Sequence, residues 1–154
     1  MARRTGLKLA DFLPYLVNRV GAALVARFTR EALASEHLTI DMWRVLAALS
    51  DNGGQRQVDL AGMTSIEAST VSRLVTRLVQ RGFVTRSRSR ESNREVIVQL
   101  SSKGTLLARK VIPIALELER SAVAGIPAKD QSAIKGALRR IYTNLASARS
   151  SVVR

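Results

Sequence analysis

Cysteine is missing from this sequence, histidine and tryptophan occur once each, and no long apolar run interrupts it. Without cysteine there are no disulfides, no thiolate metal sites, no cysteine nucleophile and no thiol-based oxidant sensing, a pattern that fits a reducing cytoplasm. One histidine alone cannot supply the nitrogen and sulfur ligands of a typical zinc site, so neither metal nor cofactor is expected. No Ser-His-Asp set and no phosphate-cradling glycine loop is found, and an enzyme is not expected. No stretch approaches the roughly 18 consecutive apolar residues of a membrane span. The basic opening Met1 to Lys8 is not followed by a signal-peptide-length apolar run with a small-residue cleavage site. Secretion and membrane insertion are therefore not expected. Aromatics are only 4% while hydrophobic residues are 46%, so the interior must be built from Leu, Val, Ile and Ala, which favours helices.

What is abundant is positive charge. Lys plus Arg number 25 against 12 Asp plus Glu, a formal net charge of +13. Such an excess predicts a polyanionic partner, nucleic acid before an anionic membrane. A length of 154 residues suits one domain with a real core.

Apolar positions Leu16, Val17, Val20, Leu24 and Phe28 recur at three- and four-residue steps, predicting a helix from Leu13 to about Ala34 with Pro14 in its first turn. Thr39 is an N-cap candidate for a second helix carrying Ile40, Met42, Val45, Leu46 and Leu49, stopped by Asp51 to Gly54. Gln57 to Met63 reads as a short helical piece. Thr64 and Glu67 have the spacing of a capping box opening a further helix, which buries Val71, Leu74, Val75, Leu78 and Val79 and ends at Gly82. The period then changes to two. Val84, Arg86, Arg88 and Arg90 share one side, and Val96, Val98 and Leu100 another, predicting a hairpin. Two more helices are predicted, at about Gly104 to Ala124 with a bend at Pro113, and at about Ala128 to Ser147. The fold class is mainly α with a small β-hairpin wing: a winged helix-turn-helix plus a helical region.

A short helix, a tight turn, a second helix and a two-stranded ribbon place the second helix in a DNA major groove. Between Ser72 and Arg94 stand seven arginines (Arg73, Arg77, Arg81, Arg86, Arg88, Arg90, Arg94) against one acid, Glu91. Arg73, Arg77 and Arg81 are four residues apart and line one helix face. The early positions Ser65, Glu67, Ser69, Thr70 and Ser72 are expected to be exposed and are short enough to approach base edges. In the wing, Arg86, Arg88 and Arg90 lead to the tip Glu91-Ser92-Asn93-Arg94, where a guanidinium suits the narrow, negative minor groove. Arg94 is the preferred minor-groove residue, with Asn93 beside it; pairing of Arg94 with Glu91 or Glu95 is the purely structural alternative. Thr70 and Arg73 are expected to choose the operator, and Arg86 and Arg88 to anchor it.

The blocks Leu38 to Leu49, Gln57-Val58-Asp59-Leu60-Ala61, Ser69-Thr70-Val71-Ser72-Arg73-Leu74-Val75, Arg81-Gly82-Phe83-Val84-Thr85-Arg86 and Val98-Gln99-Leu100-Ser101-Ser102-Lys103-Gly104 together resemble the MarR family over nearly the whole chain. The resemblance implies a homodimer that represses from a pseudo-palindromic operator on double-stranded DNA. Its division of the chain is one domain over 1–154, with a DNA-binding lobe over 39–102 and dimerisation helices over 8–36 and 103–150. Apolar residues on more than one side of the first and last helices, among them Ile112, Ile114, Leu116, Leu118, Ile134, Leu138, Ile141 and Leu145, also ask for a partner surface. One departure stands out. The family's wing tip carries Asp-x-Arg, whereas here Ser92-Asn93-Arg94 keeps the Arg and lacks the Asp, which puts wing rigidity in question unless Glu91 substitutes.

The resemblance further implies an effector, a small aromatic acid or its coenzyme A thioester, bound in a crevice between dimer helices and DNA-binding lobe. Phe12, Tyr15, Asn18, Arg19, His37, Trp43 and Arg44 are the aromatic, polar and cationic residues available for it. Trp43 and Tyr15 equally suit a plain core, and His37 a loop or helix end. The competing function is a sequence-indifferent DNA-compacting protein, which would also be small, basic and dimeric.

Overall fold

The computed structural model describes residues 6–92 and 94–150, apart from the side chains of 148–150. Helix α1 (Leu13–Phe28) takes Pro14 in its first turn, where the missing N–H leaves no hydrogen bond unmade. Beyond Phe28 the chain stays helical as one π-turn, Thr29–Leu33, and a 3-10 turn, Ala34–Glu36. The helix expected to reach Ala34 is thus α-helical only to Phe28. His37 closes it in the left-handed conformation with φ 51°, its N–H donating to the Ala34 carbonyl and that of Leu38 to the Leu33 carbonyl, both at 3.0 Å. This is the Schellman arrangement, which usually recruits glycine.

Helix α2 (Ile40–Asn52) starts as its sequence suggests, with Thr39 Oγ1 accepting from the Met42 N–H at 3.2 Å. Helices α3 (Gln57–Thr64) and α4 (Ala68–Gln80) form the helix-turn-helix. The capping box expected from Thr64 and Glu67 does not form. Thr64 is the buried last residue of α3 and its hydroxyl donates to the Leu60 carbonyl at 2.5 Å. Ser65 is left-handed at φ 55°, and Glu67 is itself the residue that precedes α4. A T-x-x-E spacing fits a capping box only if the chain enters the helix at the Thr, and here it is still leaving the previous one.

Helix α4 ends in a second Schellman turn. Gly82, at φ 74°, donates to Val79 O at 2.9 Å and Phe83 to Leu78 O at 3.0 Å. Strands β1 (Gln55–Arg56), β2 (Val84–Arg88) and β3 (Val96–Leu100) form an antiparallel sheet in the order β1-β3-β2. Val84 faces Leu100, Arg86 faces Val98 and Arg88 faces Val96, while Gln55 pairs back to Val98. The sequence predicts the hairpin β2–β3. Strand β1 is only two residues long, too short for alternation to register.

Helix α5 (Ser102–Ala122) packs its first turn directly on the start of the wing. Ser101 Oγ accepts from the Gly104 N–H at 3.0 Å and donates to the Gly82 carbonyl at 2.6 Å. A Cβ on Gly104 would lie 1.9 Å from the Phe83 carbonyl oxygen, so only glycine permits this approach. The helix runs on through Pro113. Leu33, Met42, Leu46, Leu49, Leu60, Leu78 and five valines are fully buried, each contributing about 1.5–3 kcal/mol of hydrophobic stabilisation. Val79, expected inside, is 37% exposed on the rim of α4.

The chain divides into two compact units, Met1–Leu118 and Glu119–Arg154. In the first, α1 leaves Leu13, Leu16, Val17 and Val20 exposed at helical spacing. In the second, helix α6 (Ala128–Ser150) likewise exposes Ile134, Leu138, Tyr142 and Leu145. Lys135 of α6 forms an ion pair with Glu119. Ile112 and Ile114 pack partly against the core and Leu118 is buried in it.

Candidate nucleic-acid interface

Helix α4 is two-faced. Val71, Leu74, Val75 and Leu78 go inward, and the opposite face presents a concave strip of about 370 Å³ lined by Ser72, Arg73, Thr76, Arg77 and Gln80. Ser65 and Ser69 are exposed at its leading end, while Thr70 and Ser72 are half-buried. The sequence expectation holds Ser65, Ser69, Thr70, Ser72, Arg73 and Arg77 on this surface and omits Thr76 and Gln80. Both follow from the four-residue step Ser72, Thr76, Gln80, a signal masked by the arginines between them.

Polar contacts along this face are already organised. The Glu67 carboxylate accepts from the Ser69 hydroxyl and, at 3.5 Å, from that of Thr70. Thr70 Oγ1 in turn accepts from Arg73 Nη2 at 3.1 Å. The Ser69 hydroxyl holds the Glu67 carboxyl below the ordinary carboxylate range.

Arg81, which the four-residue spacing places with Arg73 and Arg77, does something else. Its guanidinium donates to the His37 carbonyl at 2.7 Å and to the Glu36 carbonyl at 2.6 Å, and lies 4.9 Å from the Phe83 ring centroid. Lys103 covers that ring too, at 4.8 Å. Arg81 thereby locks the end of α4 to the turn before α2, and the last turn of α4 has already rotated away from the outer face.

The wing follows the expected row. Arg86, Arg88 and Arg90 are exposed. Arg86, however, donates to the Ser72 carbonyl at 3.4 Å and to Thr76 Oγ1 at 3.1 Å, tying β2 to α4. The tip is closed by backbone: Ser89 N–H donates to Glu95 O at 2.9 Å and Glu95 N–H to Ser92 O at 3.1 Å, while Ser89 Oγ accepts from the N–H groups of Glu91 and Ser92. Asn93 lies outside the described residues. Arg94 is exposed and makes no ion pair with Glu91 or Glu95 among the described residues. Glu95 is engaged by Arg56 Nη1 at 2.9 Å, and the same guanidinium grips Asp59 at 2.7 and 3.0 Å. These partners push the Arg56 guanidinium above its ordinary value. The sequence offers Glu95 as a partner for Arg94 and does not disclose its pairing with Arg56, because the two are 39 residues apart. The Arg56 clasp on Glu95, beside the tip, together with Ser89, stands where an Asp at the tip was expected to stiffen the wing.

The residues considered for an effector are scattered. Trp43 is 8% exposed and meets Phe28 edge-on, ring centroids 5.7 Å apart. Its remaining edge and Arg44 line an open cleft of about 490 Å³ with Ala47, Ala48, Asp51, Asn52, Met63 and Thr64. Arg44 is paired with Asp41 at 3.1 Å. Phe12, Tyr15, Asn18 and Arg19 lie on or just before α1 and are not among the residues lining that cleft. His37 is a helix-end residue whose carbonyl serves Arg81.

A two-faced helix, a preceding helix set by a tight turn and a basic three-stranded wing define a winged helix-turn-helix DNA-binding protein. Residues 38–96 match the MarR family profile. Over 107 residues the chain is 32% identical to the Bacillus subtilis HTH-type transcriptional regulator YfiV, covering 66% of this chain and 67% of that one. It is 28% identical over 137 residues to the Pseudomonas putida HTH-type transcriptional repressor NicR, covering 89% and 86%. The structure of Bordetella bronchiseptica BpsR, whose DNA binding is regulated by 6-hydroxynicotinic acid, superposes with a TM-score of 0.74 at 28% identity, over 84% of this chain and 98% of that one. The chain belongs to the MarR family of transcriptional regulators. No helix among its described residues is long and apolar enough to cross a membrane.

Proposed function

We propose that two copies of this chain pair through the apolar stripes left open on α1 and α6 and the exposed Leu106 and Leu116 of α5, and repress transcription from a pseudo-palindromic operator in the cytoplasm. The single observation that carries this reading is the outer face of α4, where Ser69, Thr70, Ser72, Arg73 and Arg77 are presented together beside an arginine-rich wing. Short hydroxyl side chains admit the helix deeply into the major groove, Arg73 and Arg77 reach base edges or phosphates, and Arg88, Arg90 and Arg94 follow the flanking backbone and minor groove. The relative NicR, named as a repressor, supports the sign of regulation. Footprinting on a promoter tests the proposal. Protection of one palindrome with flanking DNA left open is the expected result, whereas uniform protection would establish the DNA-compacting alternative.

The effector is a small aromatic acid or its coenzyme A thioester. BpsR, which responds to a hydroxylated aromatic acid, supports this class, and the cleft beside Trp43 and Arg44 offers a ring edge and a cation. Phe12, Tyr15, Asn18, Arg19 and His37 complete the proposed set. A ligand that binds DNA-competent and DNA-incompetent shapes equally shifts nothing, while about 1.4 kcal/mol of preference changes operator affinity tenfold. Titrating aromatic acids and their thioesters against a preformed protein–operator complex, with Trp43 fluorescence as a second readout, gives release of DNA and a changed signal. Neither response across the series would remove this effector class and leave the DNA-binding assignment standing.

A further inference from the structure

We infer that Glu67 is a specificity-determining residue, whose carboxylate selects a cytosine in each operator half-site by accepting from the exocyclic amino group of that base. The inference rests on the placement of α4 in the major groove proposed above. Glu67 is the only acid between residues 60 and 90, and it stands exposed at the leading end of α4 on a surface otherwise supplied by Arg73, Arg77 and Arg86. Phosphates repel it and offer it no donor, so on the backbone it only weakens binding.

Base edges are different. A carboxylate accepts and does not donate, and in the major groove the donors are the amino groups of cytosine and adenine. Guanine presents two acceptors there and thymine an acceptor with a methyl group. The adenine amino group lies between two acceptors, its own N7 and thymine O4, whereas the cytosine amino group has an acceptor, guanine O6, on one side and only its own C5–H on the other. Cytosine is therefore the base this side chain favours.

The carboxylate is also held for the task. The Ser69 and Thr70 hydroxyls both donate to Oε2, and the backbone N–H groups of the same two residues also favour the ionised carboxylate at this N-cap. Thr70 Oγ1 accepts from Arg73, which brings carboxylate and guanidinium to one hydroxyl. Arg73 supplies the donors that suit guanine O6 and N7, the partner of the selected cytosine or a base next to it. With the Ser69 hydroxyl favouring the ionised form, the charge is present wherever DNA is bound.

Selection from randomised duplexes tests the inference, with the intact protein, Glu67→Ala and the near-isosteric Glu67→Gln run in parallel. The intact protein is expected to enrich cytosine at one position per half-site. Glu67→Ala loses about tenfold discrimination at that position, keeps the other positions, and binds random duplex as well as or better than the parent. Glu67→Gln moves the same position to adenine, because a side-chain amide matches adenine N6 and N7. Three identical consensus sequences would overturn the inference alone, as would a Glu67→Ala protein weakened equally on selected and random duplex. An intact protein that enriches no sequence would overturn the placement of α4, and this inference with it.

Discussion

Glu67, Ser69, Thr70 and Arg73 form a connected polar chain on the first turn of α4, and its electrostatics are measurable in the free protein. The Ser69 hydroxyl is the main cause of the depressed Glu67 pKa. A carboxyl whose folded pKa is depressed adds stability above its unfolded pKa, and that stability fades as pH falls through the lower folded value. Replacing Ser69 with Ala should therefore move the Glu67 titration midpoint upward, towards the ordinary carboxylate value, and remove the part of the neutral-pH stability and of its acid-side loss that this carboxyl contributes. Carboxyl NMR titration of both proteins checks this, and an unmoved midpoint would show that Ser69 does not hold the carboxylate. Of this chain, the sequence discloses the presence of the hydroxyls and Arg73 but not their wiring. The T-x-x-E spacing suggested a different partner for Glu67, and only the left-handed turn at Ser65 shows that α3 still claims Thr64.

Between elements, two joints govern where the reading head sits. One is the packing of α5 on the wing. The Gly104 backbone approaches the Phe83 carbonyl so closely that Gly104→Ala must push helix and strand apart. A loss of about 3 kcal/mol is expected, at the upper end of overpacking costs, read as a lower urea midpoint; an unchanged midpoint would refute the close approach. The other is the wing, held near its tip by Arg56 to Glu95 and Asp59 and to α4 by Arg86. The Arg56 ion pairs are half exposed and screened by solvent, so their effect is to orient rather than to stabilise. Arg94 is exposed outside this clasp and is the residue proposed for the minor groove. Arg94→Ala should weaken operator and random duplex alike and flatten the salt dependence by about one unit for every phosphate that is no longer neutralised. Equal affinity and equal slope would take Arg94 off the interface. Helices, caps and hairpin were legible because periodicity and capping residues are local. The third strand, the Arg56 clasp and the diversion of Arg81 to the Glu36–His37 turn were not, because each depends on partners 39 to 45 residues away.

Over the whole molecule, the account depends on two copies acting together. The exposed apolar stripes Leu13, Leu16, Val17, Val20 on α1 and Ile134, Leu138, Tyr142, Leu145 on α6 are the surfaces proposed to pair. Their helical spacing was readable in the sequence; of the residues expected for an effector, Trp43 is mostly core and Phe12, Tyr15, Asn18 and Arg19 are not among those lining the cleft it borders. A two-fold dimer bearing two α4 helices must meet half-sites about one helical turn, roughly 34 Å, apart on the same side of the duplex. The most direct measurement is equilibrium binding to a selected operator and to the same operator with about five base pairs, half a turn, inserted between the half-sites. The insertion carries one half-site to the opposite face, so affinity should fall to that for random duplex and the footprint should vanish. Undiminished affinity for the lengthened operator would contradict recognition by paired α4 helices.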